Sequence, residues 1–233
     1  MFARGFLARL AGFIILAAGA GAAFASGTVA HLSGSLSVQR ADGTSSILAR
    51  NSPVNAGDVL TTEADSYAQI NFTDGSSMTL RPNSTVRVEA YNFNREQPQN
   101  DNSFLRLVKG GMRTVTGLIG RRGNQDAYKI GTNQATIGIR GSSGDTLDCS
   151  EGCPGVTPTS GKLPQGVYHA THTGAYIVQN DAGSVLVNPG QTAYVKDSST
   201  PPSILGKDPG MGLSELPFSL GVPPGGPGEC VVR

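Results

Sequence analysis

The chain has 233 residues, with 18 Lys+Arg against 17 Asp+Glu, three cysteines, 32 glycines and no tryptophan. A charge this close to balance argues against nucleic acid as a partner, because neutralising phosphates takes a basic excess. The length allows one or two domains, and the glycine content points to many tight turns instead of a few large elements.

Taken in chain order, the first segment is an address rather than structure. Arg4 and Arg9 form a basic start, "LAGFIILAAGAGAAF" is apolar, and Ala23-Phe24-Ala25 has the small-x-small pattern of a cleavage site ahead of Ser26. A secretory signal, residues 1–25, cleaved after Ala25, is expected. The apolar core is about 15 residues and rich in Gly and Ala, short of the ~20 strongly apolar residues of a spanning helix, so no stable membrane insertion is expected after cleavage. Cleavage removes two of the 18 basic residues and none of the 17 acidic ones, leaving a net charge near −1. The mature chain is expected to be periplasmic or secreted.

From Gly34 to Val195 short alternating runs are split by Gly, Asn, Asp and Pro at the spacing of hairpins. The predicted strands are "SLSVQR", "SSILAR", "DVLTT", "YAQINF", "SMTLR", "VRVEAY", "FLRLVKG", "GMRTVTG", "AYKIG", "ATIGIRG", "GVYHATH", "AYIVQN" and "VLVNP". No window sustains a helical period, so residues 26–197 are expected to form one all-β domain. "NREQPQNDNS" and "SEGCPGVTPTSGKLPQG" are expected to be surface loops. Residues 198–233 hold seven of the 14 prolines and seven glycines, which predicts an extended, largely disordered tail. Its apolar patch "LSELPFSLGV" could pack on the domain or on a partner.

The stretch "FTDGSSMTLRPNSTVRVEAY" is fixed by strand parity. Burying Ala68, Ile70 and Phe72 together with Met78 and Leu80 requires pairs whose numbers sum to an even value. A two-residue Asp-Gly loop fails this test. A three-residue loop, Thr73-Asp74-Gly75, pairs Ile70 with Met78 and Ala68 with Leu80, with Gly75 at the positive φ of a bulge. On this reading Asp74 serves the turn through its backbone, and asparagine would serve nearly as well. Arg81-Pro82-Asn83-Ser84 is then expected to turn the chain into a third strand of the same meander. Thr79, Arg81, Thr85, Arg87 and Glu89 would form its solvated outer face.

No catalytic constellation is recognisable. His169 and His172 in "YHATH" are three apart, an odd spacing that sends them to opposite faces of a strand. No G-x-S-x-G elbow, P-loop or dinucleotide fingerprint occurs. Asp58, Glu63, Asp65, Asp74, Asp126 and Asp145 are possible acids, with nothing to single out a pair. Cys149 and Cys153 in "CSEGC" are the expected disulfide, with Cys230 free or linking two chains. Zinc needs four ligands or three and a water, and three scattered histidines do not supply them. No cofactor or metal is expected. Arg140, between Gly138 and Gly141 and facing away from Ile137 and Ile139, is either a surface arginine at a bend or an anchor for a partner's carboxylate or backbone.

"NAGDVLTTEADSYAQINFTDGSSMTLRPNSTVRVEAYNF" resembles the FecR domain family, whose run is Gly-Asp, a Leu-x-Thr strand, an apolar strand, Asp-Gly-Ser and Leu-x-Pro-x-Ser. Here that run includes Asp74, Gly75, Ser76 and Pro82. "LVKGGMRTVTGLIG" and "ATIGIRGSS" are similar to the segments that follow, with Ser142 where threonine is usual. The resemblance implies an extracytoplasmic all-β module of stacked hairpins in a solenoid-like roll. It also implies a non-enzymatic protein-interaction role, with an envelope or secreted protein as partner and a contribution to envelope sensing. The membrane span and cytoplasmic sigma-factor segment of the family's transcriptional regulators are not recognisable in this sequence. An envelope structural or glycan-binding module is the alternative, for which six tyrosines and no tryptophan offer little stacking surface.

Overall fold

A computed structural model of the chain describes residues 25–122, 124, 126–153, 163–205, 209 and 211. The signal segment through Phe24, Cys230 and most of the Pro/Gly-rich tail lie outside the described residues. The fold is all-β. In order, the strands are β1 (Gly27–Ser33), β2 (Leu36–Gln39), β3 (Ser45–Leu48), β4 (Pro53–Val54), β5 (Val59–Thr62), β6 (Tyr67–Phe72), β7 (Ser77–Leu80) and β8 (Thr85–Asn92). They continue with β9 (Asn102–Val115), β10 (Tyr128–Gly131), β11 (Thr136–Asp148), β12 (Val167–Asn180), β13 (Gly183–Val187), β14 (Thr192–Val195) and β15 (Ser203–Ile204). One short 3-10 turn, Pro98–Asn100, interrupts the loop ahead of β9.

All 15 strands join one sheet, antiparallel except where β10 runs parallel to β9. The long strand β9 is its seam. Its first half pairs with β8 and β10, its second half with β7 and β11. One apolar layer runs through the sheet, from Val29, Leu36 and Leu60 through Ile70, Leu80, Leu105 and Met112 to Ile139, Tyr176 and Val195. Fully burying an aliphatic side chain contributes roughly 1.5–3 kcal/mol, so this layer is the main source of stability. A smaller cluster, Leu147, Cys149, Leu163, Tyr168, Ala170 and Met211, forms separately from it.

Several predicted runs merge. "FLRLVKG" and "GMRTVTG" do not form a hairpin but are the two halves of β9, and "GVYHATH" and "AYIVQN" are the two halves of β12. The glycines between them are bulges that bend a continuing strand, a role open to glycine because positive φ costs it nothing. The same corner recurs three times. At Gly34 (φ 81°), Gly110 (φ 82°) and Gly174 (φ 68°) the chain bends. The next residue then donates its N–H to a serine Oγ from elsewhere in the chain: Ser35 to Ser66 (2.9 Å), Gly111 to Ser84 (2.8 Å) and Ala175 to Ser142 (2.9 Å). A Cβ at these glycines would lie 2.3–2.4 Å from that Oγ.

The expected meander is corrected at its second turn. Strands β7 and β8 do not pair with each other; each pairs antiparallel with β9, one beyond the other. Arg81-Pro82-Asn83-Ser84 is therefore a jog that lets the chain continue in the same direction. It is held by Thr62 Oγ1, which donates to Arg81 O and accepts from the Ser84 amide, and by Ser84 Oγ on Gly111. Asn83 takes a positive φ (54°) and Pro82 is buried. The solvated outer face is corrected too. Strand β7 is flanked on both sides, and Thr79 and Arg81 are 1% and 5% exposed, whereas Arg87 on β8 is exposed. Strands β1, β4, β14 and β15 were not predicted. The last of these shows that the start of the proline-rich segment folds onto the sheet, with Ser203 opposite Tyr194.

Candidate functional site

The Asp-Gly turn has the register that parity demands, with Ile70 opposite Met78 and Ala68 opposite Leu80, and Gly75 at φ 82°. The Phe72 amide reaches Ser76 O, closing the three-residue loop. What the sequence reading missed is the Asp74 side chain, which is 2% exposed. Its Oδ1 accepts from Ser76 N (3.0 Å), Ser76 Oγ (2.6 Å) and Tyr91 Oη (3.1 Å), and its Oδ2 accepts from Ile119 N (3.3 Å). Gly117 lies against the same turn, where a Cβ would sit 2.3–2.7 Å from Ser76 N, Asp74 O and Asp74 Oδ2. Asp74 is therefore a buried fastener between β6, β8 and the loop after β9, and the view that only its backbone matters is corrected. Ser76 shares the role. Both are structural.

Burial, as the largest cause, pushes the Tyr91 hydroxyl well above its ordinary range, helped by the Asp74 charge. The same turn occurs earlier without this burial. Ala41-Asp42-Gly43 has Gly43 at φ 85° and Asp42 Oδ1 accepting from Thr44 N and Thr44 Oγ1, but it stands in solvent.

The acids named as candidates do not gather. Asp58 pairs with Arg40 (2.6 Å), Asp74 is held as above, and Asp145 takes Arg113 in a two-pronged pair (2.7 and 2.7 Å) with His172 Nε2 at 2.5 Å. Burial would raise the Asp145 pKa, but the Arg113 and His172 contacts outweigh it and hold the carboxylate below its usual value. His169 turns the other way, into the core against Tyr176 with ring centroids 4.1 Å apart, and bonds Thr146 Oγ1 at 3.0 Å. The opposite-face reading of the two histidines stands. Among the described residues no three His, Cys, Asp or Glu side chains could hold a metal together. None of their helices is long and apolar enough to cross a membrane. Cys149 is bonded to Cys153.

Arg140 is exposed beside a cavity of about 160 Å³, lined by Asp126, Lys129, Thr136, Gly138, Arg140 and Ile177 among others. Sheet register explains the shape. Lys129, Gly138, Ile177 and Leu186 are successive cross-strand partners on β10, β11, β12 and β13. The missing side chain at Gly138 opens a gap between Lys129 and Ile177. Two cations, one carboxylate and an apolar flank ending in Leu186, 51% exposed, make a surface able to take an extended segment carrying a carboxylate. Parity could show that Arg140 faces out; it could not show that Lys129 and Ile177 come beside it, because that depends on pairings far apart in sequence.

Residues 58–152 match the family described as FecR protein. A comparison with curated proteins gave no match. Two solved structures described as a "putative anti-sigma factor" from Parabacteroides distasonis are similar, at 13% and 12% identity with TM-scores of 0.46 and 0.47. Each likeness covers 65% of this chain, which spans 60% of their length. A structure described as "Cell surface anchoring domain" is 28% identical over 28% of this chain and 84% of that one, with a TM-score of 0.27. At such TM-scores, function has to be argued from this chain's own residues.

Proposed function

We propose, on the premise that residues 58–152 belong to the FecR family, that this chain is a non-enzymatic interaction module working outside the cytoplasm, periplasmic or secreted, that binds another envelope or secreted protein. A contribution to envelope sensing belongs to the same reading. The observation that carries it is the Arg140 groove, where Arg140 and Lys129 flank a glycine floor beside Ile177. A carboxylate-bearing segment laid there gains a charge-assisted hydrogen bond from Arg140 and apolar contact along the β12–β13 side. The recurring glycine–serine corners support a roll of stacked hairpins as the frame for this face: Gly110 and Gly174 bend β9 and β12 within a continuing strand, and Gly34 turns the chain from β1 into β2.

The test is a crosslinking pulldown from intact envelopes with wild type and with Arg140→Glu. One specific outer-membrane or secreted protein, recovered by wild type and lost with the variant, is the expected result. Recovery of glycan fragments alone would replace this reading with a glycan-binding one. Equal recovery by both chains would remove Arg140 from the interface.

A further inference from the structure

Four strands pair with a single neighbour among the described residues, and three of them are blunted. Strand β4 begins with Pro53, β15 follows Pro201 and Pro202, and the start of β13 lies against Pro201, 3.5 Å from where a Gly183 Cβ would be. Strand β3 is different. It pairs with β2 alone, has no charge, proline or bulge, and exposes Ser45, Ser46 and Ile47, the last at 72%. Proteins ordinarily protect such an edge, because its unpaired N–H and C=O groups template another strand.

The direction of those groups follows from the turn. Arg40 N donates to Thr44 O, so the hydrogen-bonded pairs inside the hairpin are Val38 with Ser46 and Leu36 with Leu48. Ser45 and Ile47 therefore aim their backbone groups away from β2. We propose that β3 pairs antiparallel with β3 of a second copy about a two-fold axis through Ser46. In that register Ser45 of each chain meets Ile47 of the other, giving four backbone hydrogen bonds. A register centred on Ile47 would instead need Ala49, whose N–H and C=O already serve Ser52.

Charge selects the same arrangement. Antiparallel pairing about this axis brings the turn before each β3, with exposed Asp42, to the same end of the ladder as the turn after the other chain's β3, with exposed Arg50, so the charges that meet at each end are opposite in sign. The edge is self-complementary in hydrogen bonds, in the apolar Ile47 and in charge, as an isologous contact requires. A four-residue edge is small, so the pair forms and separates readily. The proposal is independent of the Arg140 groove, which lies on other strands.

The test is cysteine trapping with purified full chain in a Cys230→Ser background. Ser46 of the two copies would face each other as a non-hydrogen-bonded pair with Cα atoms roughly 4.5 Å apart, within disulfide reach. Ser46→Cys should form a linked dimer at least tenfold faster than Ala182→Cys on the exposed β12–β13 turn. Adding Ile47→Pro should abolish the difference, since that N–H is not used by β2. Arg50→Glu, a surface change that keeps the edge, should reduce it severalfold. Equal rates for Ser46→Cys and Ala182→Cys overturn the proposal, as does a Ser46→Cys rate indifferent to both added variants. Trapping of a different protein in envelope material, with no linked dimer, assigns the edge to another partner and also overturns it.

Discussion

Tyr91 Oη donates to the Asp74 carboxylate at 3.1 Å and accepts the Asp74 amide at 2.9 Å, so one phenol grips both ends of the same residue. The ring stacks on Phe72 with centroids 5.2 Å apart, which ties strand β8 to the turn between β6 and β7.

This grip reverses the expected order of two substitutions. Asp74→Asn keeps one acceptor for Ser76 but turns an amide N–H toward the Ile119 N–H, leaving a buried donor facing a donor at a cost of about 1–3 kcal/mol. Gly75→Ala meets nothing within 4 Å and costs only its backbone strain, about 1–2 kcal/mol. Thermal unfolding should therefore show Asp74→Asn at least as damaging as Gly75→Ala. A wild-type melt for Asp74→Asn would return Asp74 to the role of turn former.

Gly110 and Gly43 separate strain from collision. Their φ angles are nearly equal, 82° and 85°. A Cβ at Gly43 meets nothing within 4 Å, whereas at Gly110 it would lie 2.4 Å from Ser84 Oγ, 2.6 Å from Ser84 Cα and 2.8 Å from Asn83 O. Gly43→Ala should lose about 1–2 kcal/mol. Gly110→Ala must also displace the jog after β7, so its loss should exceed that of Gly43→Ala by at least ~2 kcal/mol. Chemical denaturation of the two variants compares them directly, and equal losses would mean that the corner yields freely.

Buried His169 should make the fold sensitive to acid. Burial, opposed by the charge of Asp145, lowers its pKa from 6.5 to about 3. Between those values the unfolded chain holds a proton that the folded chain refuses, so stability falls as pH drops through the window and is unaffected above it. From pH 6.5 to 4.5 the slope of unfolding free energy should carry an extra proton uptake, rising from about half a proton to about one, that His169→Asn lacks. Parallel slopes for wild type and variant would place the charge of His169 in reach of solvent.

Local arithmetic made much of this visible in advance. Parity fixed the β6–β7 register because both strands bury the same face and the loop between them is short. It failed at Gly110 and Gly174, where glycine marks a bulge as readily as a turn, and only the partner strands decide which. It failed again for Thr79 and Arg81, because exposure of a strand's second face depends on what lies over it. The family resemblance was legible in ordered strings from Gly57-Asp58 onward, and residues 58–152 bear it out. The setting of Arg140 was not, since Lys129 and Ile177 reach it through two separate strand pairings.

Strand β9 is shared property. Among the described residues no strand from β1 to β8 pairs with any strand from β10 to β15, so every ladder there that joins the two halves of the sheet includes β9. The molecule cannot be divided into two self-sufficient pieces, because whichever piece kept Asn102–Val115 would leave the other with open ladders. A chain growing from its N-terminus meets the same difficulty in time: β7 and β8 wait with one side bare until the seam arrives, and β10 and β11, which follow it, find that partner already made. Assembly order is thus written into the position of a single strand near the middle of the sequence.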